Sequence, residues 1–231
     1  MDAEIYSKQF YQSLGEISKS YKLKYSKTAF CVYKNLGDVF WSASFLCPSF
    51  LRDGQLEINV TNCLKPCAFD VVQFAIIDPE KKHRITDSLR VNASFKAGAL
   101  QIEAKTYRLT CGDPDCFSLT VDAMVRTILE ELIEKRTAFL SAVEKDGGLI
   151  QYLAHHWEEK PLEGGMAYLC KHDYIAAKRC FELAEEAHNI WLKSIGAAGR
   201  YLHLIFIDYC KAMQAGLEWT EALVENGLPG V

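Results

Sequence analysis

The chain has 231 residues, 49% hydrophobic and 24% charged, with a net charge of −4 and a pI near 5.9. That composition excludes a disordered, collagenous or low-complexity protein, and no apolar run reaches the roughly 20 residues a transmembrane helix needs. A chain of this length buries roughly 70% of its unfolded surface and folds without a disulfide or metal staple.

The charge is unevenly spread. Residues 1–112 carry 15 Lys/Arg against 11 Asp/Glu, and residues 113–231 carry 11 against 19. The plain reading is two solvated faces of opposite sign; the sharper one is that each face steers a partner of opposite charge. The start, Met1-Asp-Ala-Glu-Ile5, lacks the basic and apolar regions of a signal peptide, which predicts a cytoplasmic location. There are nine cysteines, several inside apolar patterns. In a reducing compartment they read as small buried hydrophobes.

In chain order, Tyr6, Phe10, Leu14, Ile17 and Tyr21 share one helical face, and the helix exit is rich in lysine. From Thr28 the period drops to two. Phe30 and Val32, the turn Asn35-Leu-Gly37-Asp38, then Val39, Trp41, Ala43 and Phe45 predict a hairpin. Leu56, Ile58 and Val60 predict a further strand, and the apolar run Phe69–Ile77 reads as a strand covered on both faces, with a short helix as the alternative. Alternation on both sides of Ala97-Gly98, from Val91 to Phe95 and from Leu100 to Ala104, predicts a second hairpin. Cys111 to Cys116 is a turn-rich loop, followed by a long helix with Thr120 as N-cap and Gly147-Gly148 as its end. Leu149–Trp157, Pro161–Glu186, Ile190–Ala215 and Leu217–Glu225 follow as helices.

Strands grouped before helices indicate an α+β fold. Residues 1–112 form a helix plus antiparallel sheet, and residues 113–231 a helical region expected to pack on it as one unit, since no linker separates them. Within the helical region, 161–187 has the pattern of one tetratricopeptide-like hairpin. Gly165, Ala177 and Ala184 stand where helices cross, and Tyr168, Tyr174 and Phe181 fill the space beside them.

No nucleophile elbow and no glycine-rich phosphate loop is present. Cys63, Cys67, Cys111 and Cys116 form two Pro-containing pairs that could hold structural zinc, with spacings looser than the common two residues; unrelated loop cysteines are the plainer reading. No other cofactor is indicated. His155-His156-Trp157-Glu158-Glu159 lacks metal-ligand spacing and reads as a polar helix end. Lys19, Lys22, Lys24, Lys27 and Lys34 with Tyr21 and Tyr25 interleave charge and rings as a nucleic-acid surface does, but the acidic pI argues against that partner. Glu130, Glu131 and Glu134 on one helix, and Glu182, Glu185 and Glu186 on another, form acidic faces suited to a basic protein.

Phe40-Trp41-Ser-Ala-Ser-Phe45, Ser88-Leu-Arg-Val-Asn-Ala-Ser-Phe95, the helix Val125 to Val143, Ala167-Tyr-Leu and Asp173-Tyr-Ile-Ala-Ala-Lys occur in an order that resembles an uncharacterised bacterial domain family of unknown function. The resemblance covers most of the chain and transfers no functional residue. Some members lie beside toxin genes and are suspected immunity proteins, so it implies a role in binding and occluding a toxin. The function expected is thus a non-enzymatic protein-binding module without nucleic-acid or membrane partners, with a homodimer through the helical half also open. The alternatives are an enzyme or small-ligand binder with a site between sheet and helices, and a zinc-stabilised adaptor.

Overall fold

A computed structural model describes residues 3–47, 51–77, 85–91, 98–112, 114–195, 202–217 and 219; for 114–116, 188–195 and 202–203 it describes the backbone alone. The fold is α+β: an amino-terminal helix, a five-stranded antiparallel sheet and a helical carboxy-terminal half. The chain divides into two compact units, one of Met1–Lys65 and Thr86–Ala142, the other of Pro66–Ile85 and Val143–Val231. The position expected to divide sheet from helices, 112/113, lies inside the first unit.

The first unit begins with α1 (Ala3–Ile17), which buries Ala3, Tyr6, Phe10, Ser13, Leu14 and Ile17. Those positions repeat at three and four, so one stripe meets the core and the opposite stripe meets solvent. A single 3-10 turn, Ser18–Tyr21, carries the chain into the sheet. The strands are β1 (Lys24–Ser26), β2 (Cys31–Asn35), β3 (Val39–Leu46), β4 (Gln55–Pro66) and β5 (Leu100–Thr110), neighbours in that order. Gly37, at φ 98°, makes the β2–β3 turn, where Asn35 accepts the Gly37 N–H at 2.9 Å. On β4 the sequence alternation is carried through in burial, with Leu56, Ile58, Val60, Asn62 and Leu64 all inward.

The long helix α4 (Pro114–Glu144) buries Val121, Val125, Ile128, Leu129 and Leu132. Tyr6 meets Phe117 edge-on with ring centres 4.7 Å apart, and Phe10 lies 6.0 Å from Phe45, so α1 is wedged against both α4 and β3. Trp41, fully buried, donates its indole N–H to Asn62 Oδ1 at 2.6 Å, while Asn62 Nδ2 reaches the Leu132 carbonyl at 3.4 Å. A buried asparagine therefore joins β3, β4 and α4 through one side chain.

Two expectations are corrected here, and a third is met only in part by the described residues. Phe69–Ile77 belongs to a helix, α2 (Cys67–Ile77). Strand alternation would put Phe69 and Gln73 on one face and Asp70, Phe74 and Ile76 on the other. A helical turn collects them on one side, and all five are buried while Val71 is exposed. Thr120 lies inside α4, which starts at Pro114, a residue suited to a first helical turn because its missing N–H would be unbonded there anyway. The first arm of the expected second hairpin is preceded by a short helix, α3 (Asp87–Arg90), capped by Thr86, whose hydroxyl accepts the Leu89 N–H; residues 92–97 lie outside the described residues. The second arm is β5, which pairs along one edge with β4, with a register shift at Asn62/Cys63.

The second unit contains α2, α5 (Leu149–His155), α6 (Pro161–Cys170), α7 (Tyr174–Ile195) and α8 (Leu202–Gln214). Gly147 and Gly148, both at positive φ, close the preceding helix; Gly148 N–H bonds back to the Val143 carbonyl at 2.9 Å. α7 packs against both α6 and α8, and α2 against α6 and α8. Phe181 and Phe206 stack at 5.1 Å in the interior. The Gly196–Gly199 patch and most of the expected helix 217–225 lie outside the described residues. Trp219, which is described, donates its indole N–H to the Ile76 carbonyl at 2.9 Å.

Candidate functional site

The outward stripe of α1 forms one wall of an open cleft of about 1110 Å³ in the first unit. Lys8, Tyr11, Gln12 and Gly15 of α1 stand along that wall, and Lys19 of the following 3-10 turn continues it. The opposite wall is β1, the β1–β2 loop and β2, contributing Lys24, Tyr25, Lys27, Phe30 and Tyr33. Four lysines and two glutamates, Glu4 and Glu16, line the cleft.

Two local features shape it. Gly15 sits inside a helix, where glycine costs about 1 kcal/mol relative to alanine. A β-carbon there would lie 2.9 Å from Cδ1 of Tyr25, so the missing side chain is the seat for that ring. Phe30 closes the four-residue loop between Ser26 and Cys31, which pair across the hairpin. Its φ of 45° is left-handed, a conformation that suits glycine or asparagine and costs a bulky residue about 1–2 kcal/mol. Yet Phe30 is 43% exposed, its ring lying 4.6 Å from that of Tyr11. The loop is held by the Ser26 hydroxyl, which accepts the Ala29 N–H, and by the Phe30 carbonyl, which accepts the Phe45 N–H at 2.8 Å.

Tyr11 is anchored below. Its hydroxyl donates to the Phe45 carbonyl at 3.2 Å and accepts the Cys47 N–H at 3.0 Å. Burial holds that hydroxyl protonated well above the usual phenol range. Burial also pushes the neighbouring Cys47 thiol up to about 11, so it is not a thiolate near neutral pH. Lys24 is occupied by Asp87, its Nζ 2.8 Å from Oδ2, and this contact lowers the Asp87 pKa. Lys8, Lys19 and Lys27 have no ion-pair partner among the described residues.

The acidic residues singled out in sequence fall in both units. In the first, Glu130 accepts from the Tyr21 hydroxyl at 2.8 Å. Glu131 takes both Lys105 and the Tyr107 hydroxyl, which holds α4 to β5. Glu134 is exposed. In the second unit Glu182 lies 3.5 Å from Lys178, Glu185 is half-buried and Glu186 exposed. Glu130 and Glu131 are thus committed to internal contacts across elements.

Of the four cysteines, Cys63 is on β4 and half-buried, Cys67 opens α2, and Cys111 is buried with its thiol directed at the Leu109 carbonyl at 3.6 Å. The side chain of Cys116 lies outside the described residues. No group of three or more His, Cys, Asp or Glu is placed to hold a metal among the described residues. His155 pairs with Gln151 at 2.7 Å, and the His156 ring lies 4.4 Å from that of Tyr152, a polar helix end.

Sequence reasoning did pick out Lys19, Lys24, Lys27 and Tyr25, but as part of a surface run; Lys8, Tyr11, Gly15 and Phe30 were not joined to them. The overlooked signals were a lone glycine inside an amphipathic helix and a hairpin loop lacking glycine or asparagine at its left-handed position. No helix among the described residues is long and apolar enough to cross a membrane. Compared with models of protein families, with curated proteins and with solved structures, the chain matches none of them.

Proposed function

We propose that this chain is a non-enzymatic binding protein that takes a segment of another protein into the α1–β1–β2 cleft of its first unit. The observation that carries this reading is Phe30, a large apolar side chain held exposed on a backbone conformation that costs energy. Strain of this kind is characteristic of ligand clamps. Aromatic anchors ringed by charge are the usual composition of a binding hot spot. The cleft's lining combines hydroxyls, one amide, four lysines, two glutamates and aromatic rings, a mixture suited to recognising a mixed polar and apolar segment. Occlusion of a toxin, which the family resemblance implies, would be one instance of such binding.

The test is co-elution of the purified chain with products of neighbouring genes, wild type against Phe30→Ala and Tyr25→Ala. A stoichiometric complex lost in both variants, with unchanged thermal unfolding, supports the cleft as the binding surface. A complex that survives both substitutions overturns it.

A further inference from the structure

Resting on that reading, we infer that the occupant is an acidic linear segment with an apolar centre: carboxylates near both ends and an aromatic or aliphatic side chain between them. Lys8 on α1 and Lys19 on the 3-10 turn that follows it stand along the same wall. They are eleven positions apart in sequence, which along helical backbone is a rise of roughly 16 Å. Lys27 stands on the opposite wall. None of these three ammonium groups is neutralised by a carboxylate among the described residues. Between them lie the rings of Tyr11, Tyr25 and Phe30. The pattern is charge, apolar platform, charge. An extended chain advances roughly 3.3 Å per residue, so about five residues span that rise.

A polypeptide fits this better than a nucleic acid. Phosphodiesters place a negative charge at every step, and their binding depends on several cations in series. Here Glu4 precedes Lys8 by four residues and Glu16 precedes Lys19 by three, so acids interleave with the lysines on the same wall. A uniform polyanion meets repulsion at those points, whereas a peptide matches individual charges and leaves the others to water.

The probes are fluorescein-labelled short peptides with a central Phe-Leu pair flanked by Asp and Glu, by Lys and Arg, or by Ser and Gln, together with an oligothymidylate. Each is titrated by anisotropy against wild type, Phe30→Ala, Lys8→Gln and Lys19→Gln, with thermal unfolding recorded for every variant. Expected is tightest binding of the acidic peptide, weakened by added salt, reduced about two- to fivefold by each lysine substitution and abolished by Phe30→Ala. A Phe30-dependent preference for the neutral or basic peptide, or for oligothymidylate, overturns the acidic-segment inference and leaves the cleft reading standing. Self-association of the chain abolished by Phe30→Ala does the same, naming a second copy as occupant. Absence of binding by every probe, or binding indifferent to Phe30→Ala in a folded variant, overturns both.

Discussion

A β-carbon on Gly165 of α6 would lie 2.5 Å from Cε1 of Phe181 on α7, well inside contact distance. The two helices are therefore as close as the Phe181 ring allows. That ring is fully buried and backed by Phe206, so it has nowhere to go. Alanine is about 1 kcal/mol better than glycine inside a helix, but overpacking a filled core typically costs 1–3 kcal/mol. Gly165→Ala is expected to destabilise the second unit by about 2 kcal/mol in urea unfolding, and adding Phe181→Leu should restore part of that. A Gly165→Ala protein as stable as wild type would show that this approach constrains nothing.

That contact was legible in the sequence, because small and aromatic residues at helical spacing leave few ways to pack. The same holds for α1, the β2–β3 hairpin and β4, where a period of 3.6 or 2 is kept over several residues. The α2 run was not legible as helix by period alone. A buried segment is apolar all round, and only the placement of Asp70 and Gln73 beside Phe69 and Phe74 separates helix from strand. Half of the cleft was visible as a basic and aromatic run after α1. The other half was hidden because an outward helical stripe looks like any solvated face until the chain folds a hairpin against it.

Asn62 holds the Trp41 indole N–H at 2.6 Å where neither residue is exposed. Asn62→Ala leaves that donor without an acceptor, which costs about 1–3 kcal/mol. The expected result is a lower urea midpoint together with a displaced indole N–H resonance for Trp41. The substitution also removes the Asn62 bond to the Leu132 carbonyl, so the stability loss covers both bonds and the indole resonance reports the Trp41 bond. An unmoved indole resonance would contradict the assignment.

Glu131 fixes α4 to β5 through Lys105 and Tyr107, and the Lys105 hydrogen bond lowers its carboxyl pKa below the usual 4.5. A depressed carboxyl adds stability above its unfolded pKa and loses it as pH falls through the folded value. The stability gap between wild type and Glu131→Gln should be widest near neutral pH and close as pH drops below about 4.5. The group is largely solvent-screened, so the gap is small, and high salt should narrow it. A gap that persists at low pH would mean the substitution acts through packing, not charge.

Gly15→Ala tests the seat of Tyr25. The new methyl would meet Cδ1 at 2.9 Å and Cε1 at 3.2 Å. Unlike Phe181, the Tyr25 ring is half-buried and borders an open cleft, so it can swing outward. Helix propensity gains about 1 kcal/mol and the displaced ring gives a similar amount back. Unfolding should therefore change little, while nuclear Overhauser contacts between Tyr25 and residue 15 are lost and binding of the acidic peptide weakens. Intact contacts with unchanged binding would show that the ring tolerates the methyl in place.

Phe30→Gly separates stability from recognition. Glycine removes about 1–2 kcal/mol of left-handed strain, and loss of the ring contact with Tyr11 costs about 0.5–1.5 kcal/mol. The two nearly cancel, so the urea midpoint should stay within about 1 kcal/mol of wild type. A phenylalanine serving the core would cost about 3–5 kcal/mol when truncated to alanine. Near-neutral stability with loss of peptide binding means that the strain at Phe30 holds the ring out for an occupant. A large loss of stability would return Phe30 to the core and remove the main support for the cleft as a binding site.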